Sequence, residues 1–321
     1  MTSKKALITG ITGMDGKILS SLLLEKGYEV FGLYRNNPNK KLNRIDGVTY
    51  IESDLSNLKD LKNLFRGITF DEIYNLGAQT FINFGWENPE YTIQVNCTSV
   101  IIFLEYIKKY SPSAKFFNAS SSEIFSDTLE SPQTEETLYC PNNLYGSSKV
   151  LANNIIKNYR EKYGIFCCSG ILYTHEDVTR DEYYVSKKIT SGVAKIHLGL
   201  SDSIVLGDLN AKRDWLSAKD AVYAMWMILN QESPRDYIIS SGTSKTIEDF
   251  LSSSFKQINV NDWKNYVSID ASLIRPTKNI EIVGDNSLLK SIGWEQTISF
   301  DSMVEYLVTY EIEKFKNYEY R

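Results

Sequence analysis

The sequence predicts an α/β fold built on a doubly wound parallel sheet, with a smaller domain towards the carboxyl terminus. Two observations lead to this prediction. Apolar runs of strand length alternate with helical patterns through the first half of the chain, and strands that alternate with helices form a parallel sheet with right-handed crossovers. The first apolar run, residues 6–8, breaks directly into glycines and is followed by a helical pattern, as expected at the start of such a sheet.

The glycines Gly10, Gly13 and Gly16 lie between the first strand and the first helix, in the spacing G-x-x-G-x-x-G. A turn this sharp needs positions without a Cβ, and the pyrophosphate of a dinucleotide must approach the backbone closely at the positive end of the helix. The motif therefore predicts a dinucleotide site in this turn. The alternative is an ordinary structural turn between a strand and a helix.

Composition and charge limit the class of protein. With 321 residues, 42% apolar and 23% charged, the chain can bury a full-sized core and is expected to be globular. A formal charge of -5 argues against a broad surface for nucleic acid or for an anionic membrane. The sequence shows no signal peptide and no apolar run of about 20 residues, so a cytoplasmic location is expected.

The cysteines and histidines do not predict a metal site or a hydrolase. The four cysteines have no metal-ligand spacing and are expected to be small buried residues in a reducing compartment: Cys97, Cys140, Cys167 and Cys168. A zinc enzyme or a Ser-His-Asp hydrolase would depend on His175 or His197, and neither has the Glu, Cys or Asp spacing of such sites. No metal is therefore expected.

The remaining elements follow in order along the chain. After the first strand, strands are predicted at residues 28–34, 48–52, 71–76, 115–119 and 165–173, and helices at 58–65, 90–110, 185–194 and 300–315. The chain is expected to divide near residue 172, with residues 1–172 binding the cofactor and residues 173–321 mainly binding the substrate. Segments around residues 203–230 are expected to return to the first domain.

Residues after the next three strands refine the cofactor prediction. In dinucleotide folds an acidic residue after the second strand holds the ribose 2'-hydroxyl, whereas arginine accommodates a 2'-phosphate. This chain offers Arg35 and no acid, which favours NADP over NAD; the alternative is a solvated loop charge. Asp54 and Leu55 follow the third strand, where the adenine ring would lie, and small residues at 77–80 follow the fourth, where a ligand can approach closely.

The fifth strand leads into Ser-Ser-Ser-Glu at residues 120–123, and Tyr145 and Lys149 follow at a spacing of four. This spacing puts the tyrosine and the lysine on one face of a helix. A lysine ammonium beside a tyrosine is expected to lower the pKa of the phenol and to make it a usable base near neutral pH. The alternative is an ordinary pair on a helix surface.

Together these motifs resemble those of the extended short-chain dehydrogenase/reductases, and among them most closely the GDP-mannose 4,6-dehydratases. The resemblance covers nearly the whole chain and implies a Rossmann-type first domain. The motifs that carry it are GITGMDG at 10–16, NLGAQ at 75–79, PEYT at 89–92, SSSE at 120–123, YGSSK at 145–149, RDW at 213–215 with AKD at 218–220, and IRP at 274–276.

The resemblance implies a role for each residue that matches the family pattern. Ser121, Glu123 and Tyr145, with Lys149, would be the catalytic set, and Ser121 keeps the hydroxyl of the threonine usual in the family. The cofactor would be held by Gly10, Ile11, Thr12, Gly13, Met14, Asp15, Gly16, Arg35, Asn36, Asp54, Leu55, Leu76, Gly77, Ala78, Gln79, Thr80, Tyr91, Lys149, His175 and Arg180. The substrate would be held by Thr174, Glu176, Val185, Lys188, Arg213 and Arg275. Lys187, next to Lys188, could also meet a diphosphate or could lie on a solvated helix face.

The chain departs from the family pattern in the part expected to bind the substrate. Thr174 replaces the usual asparagine, the segment Asp-Val-Thr-Arg-Asp at residues 177–181 keeps only Arg180, and Lys278 replaces a glutamate. These departures bear on which base and sugar are bound. They do not touch the expected reaction centre.

The resemblance implies a nucleotide-sugar 4,6-dehydratase that uses NADP, or else NAD, and converts an NDP-hexose, expected to be a GDP-sugar, to its 4-keto-6-deoxy form by internal hydride transfer. Glu123 distinguishes this activity from a 4-epimerase, a 4-dehydrogenase or a 4-reductase of the same fold, which do not need a carboxylate at this place. A more remote alternative is a non-catalytic NADP-binding regulatory protein. The expected partners are the nucleotide sugar and further copies of the chain, in a homodimer or homotetramer, without nucleic acid or membrane.

Overall fold

The protein is an α/β structure organised around a seven-stranded parallel sheet, which confirms the predicted fold class. The computed structural model describes residues 3–37, 42–64, 67–274 and 281–318. The large sheet has the strand order β10-β6-β5-β4-β1-β2-β3, and its pairings are parallel. The strands are β1 Lys5–Thr9, β2 Glu29–Tyr34, β3 Val48–Glu52, β4 Glu72–Asn75, β5 Lys115–Ala119, β6 Cys167–Leu172, β7 Thr174–Glu176, β8 Ile204–Leu206, β9 Lys212–Ser217, β10 Tyr237–Ile239, β11 Ser244–Thr246 and β12 Val267–Ile269.

Helices cover both faces of the large sheet. The α-helices are α1 Met14–Glu25, α2 Leu58–Leu64, α3 Ile82–Glu87, α4 Pro89–Ile93, α5 Ser99–Tyr110, α6 Leu144–Tyr163, α7 Val185–His197, α8 Ala218–Leu229, α9 Ile247–Lys256, α10 Ser287–Ser291 and α11 Phe300–Tyr318. Alternate residues of β1 enter different cores: Ala6 and Ile8 pack with residues of α1 and α8, whereas Leu7 packs with residues of α5 and α6. Because successive side chains of a strand point to opposite faces, the sheet is covered on both sides.

A separate core lies outside the large sheet. Residues of β8, β9, α7, α9 and α11 form this core, which includes Trp215 and Phe250 with their ring centroids 4.9 Å apart. The chain also returns to the large sheet after β9, because α8 packs against α1 and β10 pairs with β6. The segment at 204–206 does not return, since β8 pairs with β12 instead. The division near residue 172 stays a prediction.

The carboxyl ends of β1, β4 and β5 are linked by buried polar side chains. The Thr9 hydroxyl donates to Asn75 Oδ1 at 2.8 Å, and Asn75 Nδ2 donates to Asn118 Oδ1 at 2.9 Å. The Gly77 N–H in turn donates to Thr9 Oγ1 at 2.9 Å. These bonds fix the loops that leave the three strands relative to one another, at the edge where open parallel sheets bind ligands.

Two local predictions were wrong. The segment 90–110 is not one α-helix, because a π-helix at Gln94–Thr98 separates α4 from α5. Cys140 is exposed, whereas Cys97, Cys167 and Cys168 are buried free thiols as expected; Cys140 lies in the irregular segment between β5 and α6, whose polar neighbours face solvent. None of the helices in the part of the chain that the structure describes is long and apolar enough to cross a membrane.

Candidate active site

The turn between β1 and α1 depends on the absence of side chains at its glycines. Gly10 has φ +67°, and a Cβ there would lie 2.8 Å from Gly77 Cα. A Cβ on Gly16 would lie 2.4 Å from the Gly10 carbonyl oxygen, to which the Gly13 N–H also donates at 2.9 Å. Since Gly13 caps α1 without a side chain, the free N–H groups at the start of the helix are left for a ligand.

Asp15, in the first turn of α1, is paired with His175 of β7. His175 Nε2 lies 3.0 Å from Asp15 Oδ2, and Nδ1 lies 2.8 Å from the Tyr173 carbonyl oxygen, to which it must donate. Burial favours neutral forms, but the mutual attraction outweighs it: the pKa of His175 is raised and the pKa of Asp15 is lowered. The pair therefore ties the predicted cofactor turn to the strand that carries Thr174 and Glu176.

The residues predicted to hold the adenosine end of a cofactor lie together. Arg35 follows β2 and donates from Nη1 to the Tyr91 hydroxyl at 2.5 Å. The negative charge of Asp54 is close enough to Tyr91 to add to the effect of burial in raising the pKa of that phenol. Leu55 lies beside Gly77, 2.7 Å from the position of an added Cβ. Asn36 is exposed next to Arg35.

Asn96 holds the loop after β4 and was not predicted from the sequence. Its Oδ1 accepts from the Gln79 N–H at 2.9 Å, and its Nδ2 donates to the Gln79 carbonyl at 3.0 Å and to Ser148 Oγ at 2.9 Å. Asn96 lies in the π-helix, a kind of segment that is frequent at functional sites. The only signal in the sequence was a polar residue inside an apolar helical run. The loop that Asn96 fixes is Leu76, Gly77, Ala78, Gln79 and Thr80.

The predicted catalytic residues are brought together. Ser121 and Glu123 both lie close enough to the Tyr145 phenol to influence its pKa. Lys149 Nζ donates to the Ala119 carbonyl at 2.7 Å and lies 5.6 Å from the centroid of the Tyr145 ring. The end of β5 and the first turns of α6 therefore form one site.

The predicted effect of Lys149 on Tyr145 was wrong for this arrangement. Burial raises the pKa of Tyr145 above its ordinary value, and the groups that lower it are the Ser121 hydroxyl and the charge of Arg180. The lysine ammonium is directed at the Ala119 carbonyl, and burial lowers the pKa of Lys149 to about 8. The i, i+4 spacing put both side chains on one face but did not fix where the ammonium points.

Asn143 is a second site residue that was not predicted from the sequence. It precedes α6, and its Oδ1 accepts from the Gly146 N–H at 2.8 Å, which caps the helix. Its Nδ2 donates to Glu123 Oε2 at 2.8 Å. The pattern of a capping residue before a helix was visible in the sequence, but its second contact was not.

The segment between β7 and α7 carries Arg180 into the site. Arg180 Nε lies 3.1 Å from Glu176 Oε2, and the guanidinium stacks on the Tyr184 ring at 3.7 Å from its centroid. Glu176 is buried, and burial raises the pKa of its carboxyl. Tyr184, a residue not predicted for the site, is close enough to Tyr145 to influence its ionisation. The Glu176 carboxylate therefore lies against Arg180.

Lys187 is buried and paired within the protein, so the alternative of a solvated helix face was wrong. Its ammonium is buried, pairs with Glu311 of α11 and donates to the Val178 carbonyl at 2.7 Å. The carbonyl belongs to the segment that carries Arg180, and the pair therefore braces that segment against α11. The neighbouring Lys188 is exposed on α7.

The other predicted substrate residues lie on several elements. Thr174 begins β7 and Val185 begins α7. Arg213 is an exposed residue of β9, and its Nη1 donates to the Lys212 carbonyl at 2.6 Å. Arg275 lies outside the described residues, as does Lys278.

The RDW and AKD motifs also have a structural function. The buried Asp214 carboxylate accepts from the N–H groups of Ser241 and Gly242 at 2.7 and 3.1 Å, and burial raises the pKa of Asp214 to about 6. Asp220 accepts from the N–H groups of Thr297 and Ile298 at 3.2 and 3.0 Å. Each aspartate therefore accepts hydrogen bonds from the backbone N–H groups of a segment that is distant in the sequence.

The chain is built as an extended short-chain dehydrogenase/reductase, with its serine, tyrosine and lysine beside a glycine-lined turn at the carboxyl edge of a parallel sheet. The family model described as GDP-mannose 4,6 dehydratase matches residues 7–307. The chain belongs to this family.

Comparison with individual proteins agrees with this assignment. The chain is 39% identical over 331 residues to "GDP-mannose 4,6 dehydratase 2" of Arabidopsis thaliana, covering 98% of this chain and 88% of the relative. Among solved structures, RMD from Pseudomonas aeruginosa complexed with NADPH has a TM-score of 0.81 at 19% identity, covering 97% of this chain and 100% of that one. The dTDP-glucose 4,6-dehydratase of Bacillus anthracis in complex with NAD has a TM-score of 0.82 at 19% identity, covering 98% of each. These structures share the fold.

Proposed function

We propose that the protein is a GDP-sugar 4,6-dehydratase, a hydro-lyase that converts a nucleotide-diphosphate hexose to its 4-keto-6-deoxy form. Family membership supports this activity. The structural observation that carries it is Glu123, whose carboxylate is held by Asn143 in the same site as Tyr145 and Ser121. An enzyme that only moves a hydride at C4 does not need a carboxylate there, whereas an elimination needs a group that moves a proton at C5 and C6.

The cofactor is proposed to be a nicotinamide dinucleotide. The turn fits such a group, because Gly10, Gly13 and Gly16 leave the start of α1 open to a pyrophosphate. When bound, such a group would supply reversible hydride acceptance for the oxidation at C4 and the reduction at C6. NADP is proposed over NAD because Arg35, a fixed positive charge, lies at the end of β2 beside Tyr91. Similar solved structures contain NADPH in one case and NAD in the other, which supports a nicotinamide cofactor but does not distinguish the two. The proposal of NADP therefore depends on Arg35.

The residues of the chain perform the acid and base steps. Tyr145 takes the proton of the sugar's 4-hydroxyl, which Ser121 orients. The resulting 4-ketone acidifies C5, and Glu123 takes the C5 proton and then gives it to the departing 6-hydroxyl, so that one water leaves. When C6 is reduced, the proton held by Tyr145 goes to C5, which restores both side chains to their starting states. Each such step contributes about 10²- to 10⁴-fold to the rate.

Tyr145 must lose its proton from a partly buried position, which by itself opposes ionisation. The Ser121 hydroxyl and the charge of Arg180 favour the phenolate. Arg180 is held for this purpose between Glu176 and the Tyr184 ring. The homo-oligomeric state and the cytoplasmic location stay predictions.

Mass spectrometry of reaction products tests the proposal. The purified protein is incubated with GDP-, CDP-, UDP- and dTDP-hexoses and no added reductant. We expect a product from a GDP-sugar that is lighter by one water, with no net change in the cofactor. The matched variant Glu123→Gln keeps the shape of the side chain and should lose the dehydration by about 10²-fold or more while C4 oxidation persists. Altered sugar stereochemistry without loss of water would instead identify an epimerase.

A further inference from the structure

The side chain of Asn143 makes hydrogen bonds to the helix that carries Tyr145, to Glu123 and to the neighbouring Asn142 Oδ1, the last at 3.0 Å. Its oxygen accepts from the Gly146 N–H at 2.8 Å and its nitrogen donates to Glu123 Oε2 at 2.8 Å. The residue is buried, with 6% of its surface exposed. One rigid amide therefore sets the position of the carboxylate relative to the first turn of α6.

The partners fix the orientation of this amide. Since the Gly146 N–H can only donate, the Asn143 oxygen must face it and the NH2 group must face the carboxylate. The backbones of the two segments are also close together. A Cβ on Gly146 would lie 2.5 Å from the Glu123 carbonyl oxygen, so α6 begins directly against Glu123. Both the backbone and the carboxylate of Glu123 are thus held by the start of the helix.

Other capping residues would not reproduce both contacts. Serine and aspartate cap helices about as well as asparagine. The serine hydroxyl is one bond nearer the backbone than the amide nitrogen, so a serine at this position would lose the hydrogen bond that Asn143 donates to Glu123. Aspartate puts a second carboxylate where Glu123 now meets an N–H group, and like charges this close favour protonation of one of them.

We propose that Asn143 is a positioning residue for Glu123, which holds the carboxylate in place for the proton at C5. This role rests on the proposed function, since only an elimination uses Glu123 in this way. It predicts that changes at Asn143 affect the elimination and leave the oxidation at C4 intact. A residue that only capped α6 would instead affect both steps, because α6 also carries Tyr145 and Lys149.

The test compares Asn143→Ser and Asn143→Asp with the wild-type protein in single-turnover reactions on the GDP-hexose that the wild type dehydrates. Nicotinamide absorbance follows the C4 oxidation, and mass spectrometry follows the loss of water. For Asn143→Ser we expect kcat for dehydration to fall about 10- to 100-fold, with KM within about twofold and with reduced cofactor and undehydrated 4-keto sugar accumulating. For Asn143→Asp we expect the acidic limb of the kcat profile to move to higher pH by about one unit or more.

Thr246→Ala is the matched control, because Thr246 caps α9, a helix that carries none of the predicted site residues, through a hydrogen bond from the Asp249 N–H at 3.0 Å. It should leave kcat within about twofold. A wild-type kcat in Asn143→Ser, or an equal loss of oxidation and dehydration, overturns the positioning role alone. A wild-type protein that dehydrates none of the sugars refutes the proposed function, and this role with it.

Discussion

Replacing Lys149 by methionine should change how the stability of the protein depends on pH. Lys149 is 3% exposed, and burial lowers the pKa of its ammonium from 10.5 to about 8. Methionine fills nearly the same space and carries no proton. The difference in unfolding free energy between the two proteins therefore isolates the titration of this one group.

The lowered pKa of Lys149 determines whether the stability rises or falls with pH. Below about pH 8 Lys149 is charged in both the folded and the unfolded protein, and the wild type bears the full cost of burying that charge. Between about pH 8 and 10.5 the folded protein has lost this proton while the unfolded chain keeps it, so stability rises with pH. At 1.36 kcal/mol per pH unit, the wild type should gain about 3 kcal/mol over Lys149→Met between about pH 7 and pH 10.5.

The measurement is urea unfolding followed by circular dichroism, on nucleotide-free wild type and Lys149→Met across this pH range. The loss of the hydrogen bond to Ala119 shifts the two curves by a constant and does not alter the slope. Cys97, whose charge would act on Lys149, stays mostly neutral through this range because burial raises its pKa to about 11. A free-energy difference that stays constant over the range would show that Lys149 is solvated rather than buried.

Two further predictions concern the cofactor turn and the choice of cofactor. Gly10→Ala should destabilise the protein by about 1–3 kcal/mol more than Gly164→Ala in urea unfolding. The two glycines have nearly the same φ, +67° and +65°, but of the two only Gly10 would bring a Cβ against another backbone segment. Equal losses of stability would contradict the close approach at Gly10. Arg35→Ser should weaken NADP binding about 10- to 100-fold in calorimetry and leave NAD binding within about twofold, and an equal loss for both would show that Arg35 does not bind the 2'-phosphate.

Patterns that depend on backbone geometry could be predicted from the sequence. The glycine triplet and the Tyr145–Lys149 spacing each follow from a turn or a helix period, and the structure places them as expected. The resemblance to a family supplied Ser121 and Glu123. The sequence could not show where a side chain points within its face, which is why the effect of Lys149 on the pKa of Tyr145 was wrong.

The supporting residues were beyond sequence reasoning for a similar reason. Asn96 reaches Gln79 from a π-helix, and hydrophobic periodicity does not distinguish this segment from an α-helix. Asn143 was recognisable only as a helix cap, because its contact with Glu123 joins segments 20 residues apart. Contacts between distant polar side chains leave no periodic signal in a sequence.

The brace of Lys187 against Glu311 has a consequence for synthesis on the ribosome. Glu311 follows Lys187 by 124 residues, so Ser121, Tyr145 and Arg180 all leave the ribosome well before the carboxylate that neutralises Lys187. Until then the lysine either stays in water, with the Val178 carbonyl unpaired, or is buried as a lone charge at a cost of about 3–5 kcal/mol. A growing chain that already contains the predicted catalytic residues therefore does not yet hold its Arg180 segment in place, because the brace forms only as α11 docks.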